Sequence, residues 1–224
     1  MTSEGITGLE HHYHWYEVEE GGCPRVSKDL LWNSTIFNYY YRYINMRYYR
    51  FVVKGNDKVG GVLYSPPNWP YPIARDAEEV KNWQSLVVEL KHGMYRPFHA
   101  CTGGANLVSQ ELKDLLTQFC KDDSNLEFFP INATSKEYGD KIYYIMHFKI
   151  IYDVIDKQKT VYVDGTDSVI KLRLDSNKVQ GLKIFNSRPA VNDVIVSEDV
   201  YKAIKMKKLD MGLDFMQIYC GNSI

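Results

Sequence analysis

Residues 181–215 constrain the fold of this chain most, because they carry in one run the signals of a strand, a loop, a helix and a second strand. Ser197 stands where an N-cap side chain accepts hydrogen bonds, and two acidic residues follow it at the positive end of the helix dipole. Apolar residues then recur at helical spacing, at Val200, Ala203, Ile204 and Leu209. The pattern predicts a helix packed on a sheet, with Gly212 at its end and a strand from residue 213.

A second stretch, residues 107–116, repeats the same start signal with Ser109 in the N-cap position. Two interpretations stay open: an internal duplication, or two surface helices that converged on a frequent start signal. Leu112 and Val200 occupy the position where a capping box needs Glu or Gln, so neither stretch completes that stricter motif. These residues predict an architecture and no reaction.

Length and composition place the chain among ordinary globular proteins. Its 224 residues are 45% hydrophobic and 25% charged, enough to bury a substantial core. The net charge of -1 provides no broad basic field for a phosphate backbone, so we expect no nucleic-acid partner. No run approaches the ~20 apolar residues of a membrane span, and we therefore expect no membrane partner.

Cysteine and histidine spacing argues against a metal site or cofactor. The four cysteines are scattered without the paired spacing of a zinc site. His12 and His14 would share one side of a strand, but no carboxylate or cysteine completes a recognised ligand set, which favours an aromatic strand with solvated imidazoles. The start of the chain shows no secretion signal, so we expect a cytoplasmic protein with reduced thiols and no cofactor.

Aromatic residues dominate the first part of the chain, which contains many of the 18 tyrosines. Turn residues at 54–58 separate two β-prone runs and predict a hairpin that pairs residues 50–53 with residues 59–64. Residues 65–74 hold four of the eight prolines and display two rings on a stiff loop. The candidate partner-binding residues are Tyr39, Tyr40, Tyr41, Trp69 and Tyr71. The alternative is that these rings pack inside their own domain.

Residues 140–155 form a long β-prone run that is apolar on both faces, which predicts a central strand covered on both sides. His147 lies within this run and is interpreted as a structural histidine. His99 and Cys101 offer a base and a nucleophile two residues apart. Side chains so placed project in parallel, whereas catalytic pairs usually come from separate elements. We therefore predict no catalytic residues, with an enzyme built on these groups as the alternative.

The predicted fold class is α+β: a mostly antiparallel sheet, two Ser-capped helices packed on it, and a Tyr-rich β N-terminal part. We predict a division into residues 1–105, rich in tyrosine and strands, and residues 106–224, which carry both helices. One continuous domain is the alternative.

The order of signals in the C-terminal half resembles bacterial immunity proteins of polymorphic toxin systems, in the families numbered forty-three and eleven. The pieces that carry the resemblance are residues 108–116, 128–131, 143–145, 152–156, 184–185, 195–204 and 212–215. Asn186 departs from the pattern, because family members often carry Arg directly after the Ile-Phe pair.

The resemblance implies a protein that binds a cognate toxin domain, occludes its active site and performs no chemistry. Its partner would be a protein, and its oligomeric state is left open. A different class of function remains as the alternative, an intracellular module that binds a small ligand or carbohydrate on exposed rings such as Trp69 and Tyr71.

Overall fold

A computed structural model describes residues 47–54, 63–66, 80–102, 104–120, 125–166, 168–187 and 193–220. These residues belong to one compact unit, Tyr39–Ile224. None of the helices in this described part is both long and apolar enough to cross a membrane.

The described residues form two helices and thirteen strands. The helices are α1 (Gln110–Phe119) and α2 (Glu198–Met206). The strands are β1 (Tyr48–Val53), β2 (Leu63–Tyr64), β3 (Val87–Leu90), β4 (Phe98–Ala100), β5 (Asn106–Val108), β6 (Leu126–Thr134), β7 (Lys141–Phe148), β8 (Val161–Tyr162), β9 (Val169–Lys171), β10 (Arg173–Leu174), β11 (Ile184–Phe185), β12 (Ile195–Ser197) and β13 (Leu213–Cys220).

Two mixed sheets make up the body of this unit, which is therefore of the α+β class. The first sheet has the strand order β10-β13-β1-β12-β11, and the second has the order β2-β3-β6-β7-β5-β4. Each contains one parallel pair, β10 with β13 and β3 with β6, beside its antiparallel pairs. Strands β8 and β9 form a separate two-stranded hairpin.

Strand β1 does not form the predicted hairpin, and the sequence interpretation was wrong here. β1 pairs antiparallel with β12 and β13, more than 140 residues away, while Leu63–Tyr64 pairs with β3 in the other sheet. The reason lies in its side chains: Tyr48 and Tyr49 point to opposite faces and both are buried. A strand with two buried faces is stable in the interior of a sheet, where other elements cover both faces. A two-stranded hairpin cannot provide that cover.

Strand β7 confirms the predicted central strand, although it is shorter than the pattern suggested. It spans Lys141–Phe148 and lies between β6 and β5. Tyr143 and Ile145 are buried on one face, and Met146 and Phe148 are buried on the other.

The two helices begin at the predicted serines but differ at their caps. Ser109 Oγ accepts a hydrogen bond from the Leu112 amide, 3.3 Å away, as an N-cap side chain does. Ser197 occupies the N-cap of α2 without such a bond, because its hydroxyl donates to the Asp199 carboxylate instead. Helix α2 ends at Met206, six residues before Gly212, and Lys208 takes a left-handed conformation with φ of 56° just beyond it.

One core joins both sheets and both helices. The first sheet contributes Phe51 and Val196, the second contributes Phe98 and Met146, and each helix adds its buried aliphatic stripe. Strands from both sides of residue 105 therefore share this core, while the division at that residue stays a prediction.

Candidate partner-binding surface

The aromatic residues that the sequence suggested as anchors lie outside the described residues. These are Tyr39, Tyr40, Tyr41, Trp69 and Tyr71, and their role in partner binding stays a prediction. The histidines at positions 11, 12 and 14 also lie outside. Within the described ranges, no group of three or more His, Cys, Asp or Glu side chains is placed to hold a metal ion.

The candidate nucleophile and base occupy buried positions in the second sheet. His99 Nε2 accepts a hydrogen bond from the Arg96 amide at 2.9 Å, and its ring meets the edge of Tyr143 with centroids 5.4 Å apart. Cys101 packs in a cluster with Leu63 and Leu107, and His147 is equally buried. These are the surroundings of core side chains.

An open depression of about 460 Å³ lies at the tip of the β8–β9 hairpin. Its lining comes from one short run of chain, residues 162–166, which includes none of His99, Cys101 and His147. This lining is a backbone turn with a single carboxylate, Asp164, and it brings no candidate catalytic groups together.

Two cationic side chains lie over the ring of Tyr219 near the end of β13. They are Lys171 from β9 and Arg173 from β10, and we term the three residues the Tyr219 cluster. The Tyr219 ring is 38% exposed, with Arg173 Cζ 4.7 Å and Lys171 Nζ 5.9 Å from its centroid. Local alternation explains the exposure, because Ile218 and Cys220 on either side of Tyr219 are buried. The parallel pairing of Arg173 with Tyr219 then places the cations over the ring.

A second polar and apolar group lies on the opposite face of the first sheet, because Met216 and Tyr219 are three residues apart on a regular strand. Arg50 Nη1 donates to Asp193 Oδ2 at 2.8 Å, and Nη2 lies 3.3 Å from the sulfur of Met216, whose side chain is 50% exposed. Burial raises the pKa of Asp193, and the Arg50 guanidinium opposes this shift. The ion pair thus fixes Arg50 beside a flexible, exposed thioether.

The β8–β9 hairpin adds exposed aliphatic side chains next to the Tyr219 cluster. Val161 lies on β8, and Val163 follows directly after that strand. Ile170, which is 66% exposed, lies on β9 at an irregularity in the pairing with β8. We term the Tyr219 cluster and these aliphatic residues the β13 surface.

A row of exposed side chains on the second sheet is the main competitor. Val87, Asn132 and Ile142 are neighbours across three strands, and Val87 and Ile142 are both exposed. This row has no arginine or aromatic ring in the same cross-strand register. The β13 surface combines Tyr and Arg, which are residue types enriched at protein interfaces.

The sequence interpretation missed Tyr219. The pattern that finds it is the alternation of apolar and polar residues from 213 to 220, which marks a long half-exposed strand. This pattern would have predicted that the Tyr219 ring is exposed. It would not have predicted the two cations over the ring, because they come from β9 and β10, more than 40 residues away.

A family model described as the immunity protein family Imm11 matches residues 57–219. This covers most of the chain, including all of α1, α2 and the strands from β2 to β12. A search of curated proteins gave no match. The resemblance read from the C-terminal half is thus confirmed for the family numbered eleven and extends to residue 57. This chain belongs to the Imm11 immunity protein family.

Proposed function

We propose that this protein binds a cognate bacterial toxin domain in the cytoplasm and neutralises it by occluding its active site. The observation that carries the proposal is the family match over residues 57–219. An immunity protein needs a preformed surface, because ordering a flexible one on binding would cost affinity. Its own chemistry is not required, which agrees with the core positions of His99, Cys101 and His147.

The β13 surface supports this function through its shape and charge. Tyr219 supplies exposed apolar area on a rigid strand, and Arg173 and Lys171 supply positive charge beside it. Aromatic and arginine anchors contribute much of the affinity in protein interfaces, while charges at the rim govern encounter and partner choice. Tyr39, Tyr40, Tyr41, Trp69 and Tyr71 remain proposed as further anchors.

The experiment is a neutralisation assay with the protein encoded immediately upstream of this chain. A secreted protein that ends in a toxic domain is expected there. Cells that express the toxic domain should survive only when this chain is co-expressed, and the two proteins should co-purify. Survival without co-expression, or death despite it, contradicts the proposal. The immunity protein of an unrelated toxin is the matched control and should not protect.

A further inference from the structure

Strand β13 has an open outer edge. On one side it pairs with β1 along its length from Leu213 to Ile218. On the other side it pairs with β10 only at Tyr219 and Cys220. Residues 213–217 therefore border no other strand on that side, within the part of the chain that the structure describes.

The register shows which backbone groups point outward. The Lys54 amide donates to the Gly212 carbonyl at 3.1 Å, which makes position 212 a hydrogen-bonded position of the β1–β13 pair. Antiparallel pairs alternate between bonded and non-bonded positions, so residues 214 and 216 also point toward β1. The amides and carbonyls of Phe215 and Gln217 then point away from it.

Strand β1 provides an independent check on this alternation. Its Phe51 lies opposite Phe215, and the Phe51 amide donates away from β13, to the Val194 carbonyl at 2.9 Å. Position 51 is thus a non-bonded position of the β1–β13 pair, and its partner Phe215 must be one too.

The open edge shows few of the features that prevent pairing with another chain. Residues 213–217 contain no proline, and their pairing with β1 has no bulge. Asp214 is the one charge in the segment, and it lies at the end remote from Gln217. The Leu213 amide donates to the Asp210 carbonyl at 3.0 Å, so the outward amides that remain for a further strand are those of Phe215 and Gln217. An exposed, regular edge with such groups is a template for a further strand.

We infer that an extended segment of the toxin domain pairs with β13 at residues 213–217 and adds a strand to the first sheet. This inference rests on the proposed function. Beyond Gln217 the incoming segment meets the Tyr219 cluster, where Lys171 forms no ion pair with any described residue. An acidic residue at that end of the segment, and apolar residues over Met216, complete its chemistry.

A proline at position 217 tests the backbone contact directly. Gln217→Pro removes an amide that points outward, so β13 keeps its bonds to β1, and proline is tolerated at such edge positions. We expect this variant to bind the upstream toxin domain, made inactive by mutation, at least about tenfold more weakly. Gln217→Ala is the matched control, since it removes the side chain and keeps the amide, and its affinity should stay within about threefold.

Amide hydrogen exchange of the unmodified protein gives a second test that needs no variant. In the free protein, the amides of Phe215 and Gln217 should exchange fast while those of Asp214 and Met216 are protected. Binding of the inactive toxin domain should slow the first pair strongly and change the second pair little.

The outcomes separate the two proposals. If the toxin domain is bound and neutralised while the amides of Phe215 and Gln217 exchange as before, strand addition is wrong and the immunity function stands. Loss of binding in Gln217→Ala to the same degree as in Gln217→Pro also contradicts strand addition, because the side chain would then carry the contact. If the unmodified protein binds no toxin domain, both proposals fail.

Discussion

Gly212 and Phe98 bring the two sheets into contact at a distance that leaves no room for a side chain at position 212. A Cβ added to Gly212 would lie 2.6 Å from the Phe98 carbonyl oxygen and 3.1 Å from Cδ of Arg96. Gly212 also takes a φ of 91°, which residues with a Cβ rarely adopt. The glycine that the sequence marked as a helix end thus serves a tertiary contact at the start of β13.

We expect Gly212→Ala to destabilise the protein by about 2–4 kcal/mol, because it combines backbone strain with a clash against a backbone oxygen. Urea unfolding measures the change in the free energy of unfolding. Gly139→Ala is the matched control, since Gly139 has a similar φ of 70° and nothing within 4 Å of an added Cβ. Equal losses in the two variants would mean that the close approach to Phe98 contributes nothing.

Ser109→Ala should cost about 1 kcal/mol of stability, because the Leu112 amide loses its capping acceptor. Ser197→Ala should cost less, since the Ser197 hydroxyl donates to Asp199 and caps no amide of α2. Thermal unfolding of both variants under the same conditions measures the two losses of stability. A larger loss for Ser197→Ala would contradict the difference in capping seen between α1 and α2.

Lys183→Met should weaken the protein at neutral pH and leave it unchanged in acid. Burial alone would raise the pKa of Asp199, but hydrogen bonds from Lys183, at 2.6 Å, and Ser197 outweigh it and hold the pKa below its ordinary value. The stabilisation is therefore present above the pKa of an unfolded aspartate and is lost as the pH falls through the lowered pKa.

Both side chains of this pair are about half exposed, so the loss at pH 7 should be under about 1 kcal/mol. Unfolding curves at pH 7 and pH 2 measure it, and NMR titration of Asp199 should show its pKa rising. Lys207→Met is the control, because it removes a lysine charge at the other end of α2 that forms no ion pair with the described carboxylates. An equal loss at both pH values would contradict the ion-pair explanation.

Tyr219→Ala should weaken binding of the inactive toxin domain at least about tenfold, as expected for an aromatic anchor in an interface. Tyr138→Ala is the control, because Tyr138 is a comparably exposed ring outside the β13 surface. Titration calorimetry of both variants decides the matter. Ile142→Ser tests the competing row on the second sheet: a loss there, with Tyr219→Ala unchanged, would move the binding surface to that sheet.

The thiols of Cys101 and Cys220 should react slowly with iodoacetamide, and Cys120 should react before both of them. Cys101 and Cys220 are buried, whereas Cys120 is partly exposed. Burial raises the pKa of the Cys220 thiol to about 11, so little thiolate is present at pH 8. Mass spectrometry of peptides after brief labelling gives the order. Faster labelling of Cys101 than of Cys120 would favour the nucleophile hypothesis.

Local sequence patterns predicted where helices and strands lie better than they predicted which strands pair with each other. The helix starts at Ser109 and Ser197 and the central position of β7 depend on spacings within a few residues, and these were predicted. The pairing of β1 was mispredicted because a turn-like run at residues 54–58 suggested a local hairpin. Burial of both faces of β1 favoured β12 and β13 instead.

The sequence by itself determined the α+β class, the two amphipathic helices and the family, because these depend on short-range order along the chain. Only the tertiary structure decided that Gly212 meets Phe98 and that two cations lie over the Tyr219 ring. It also decided that residues 213–217 of β13 border no second strand on their outer side among the described residues. The physical reason is that strand pairing and surface exposure follow from contacts between residues far apart in sequence, such as Tyr48 with Ile218. No local propensity encodes such contacts.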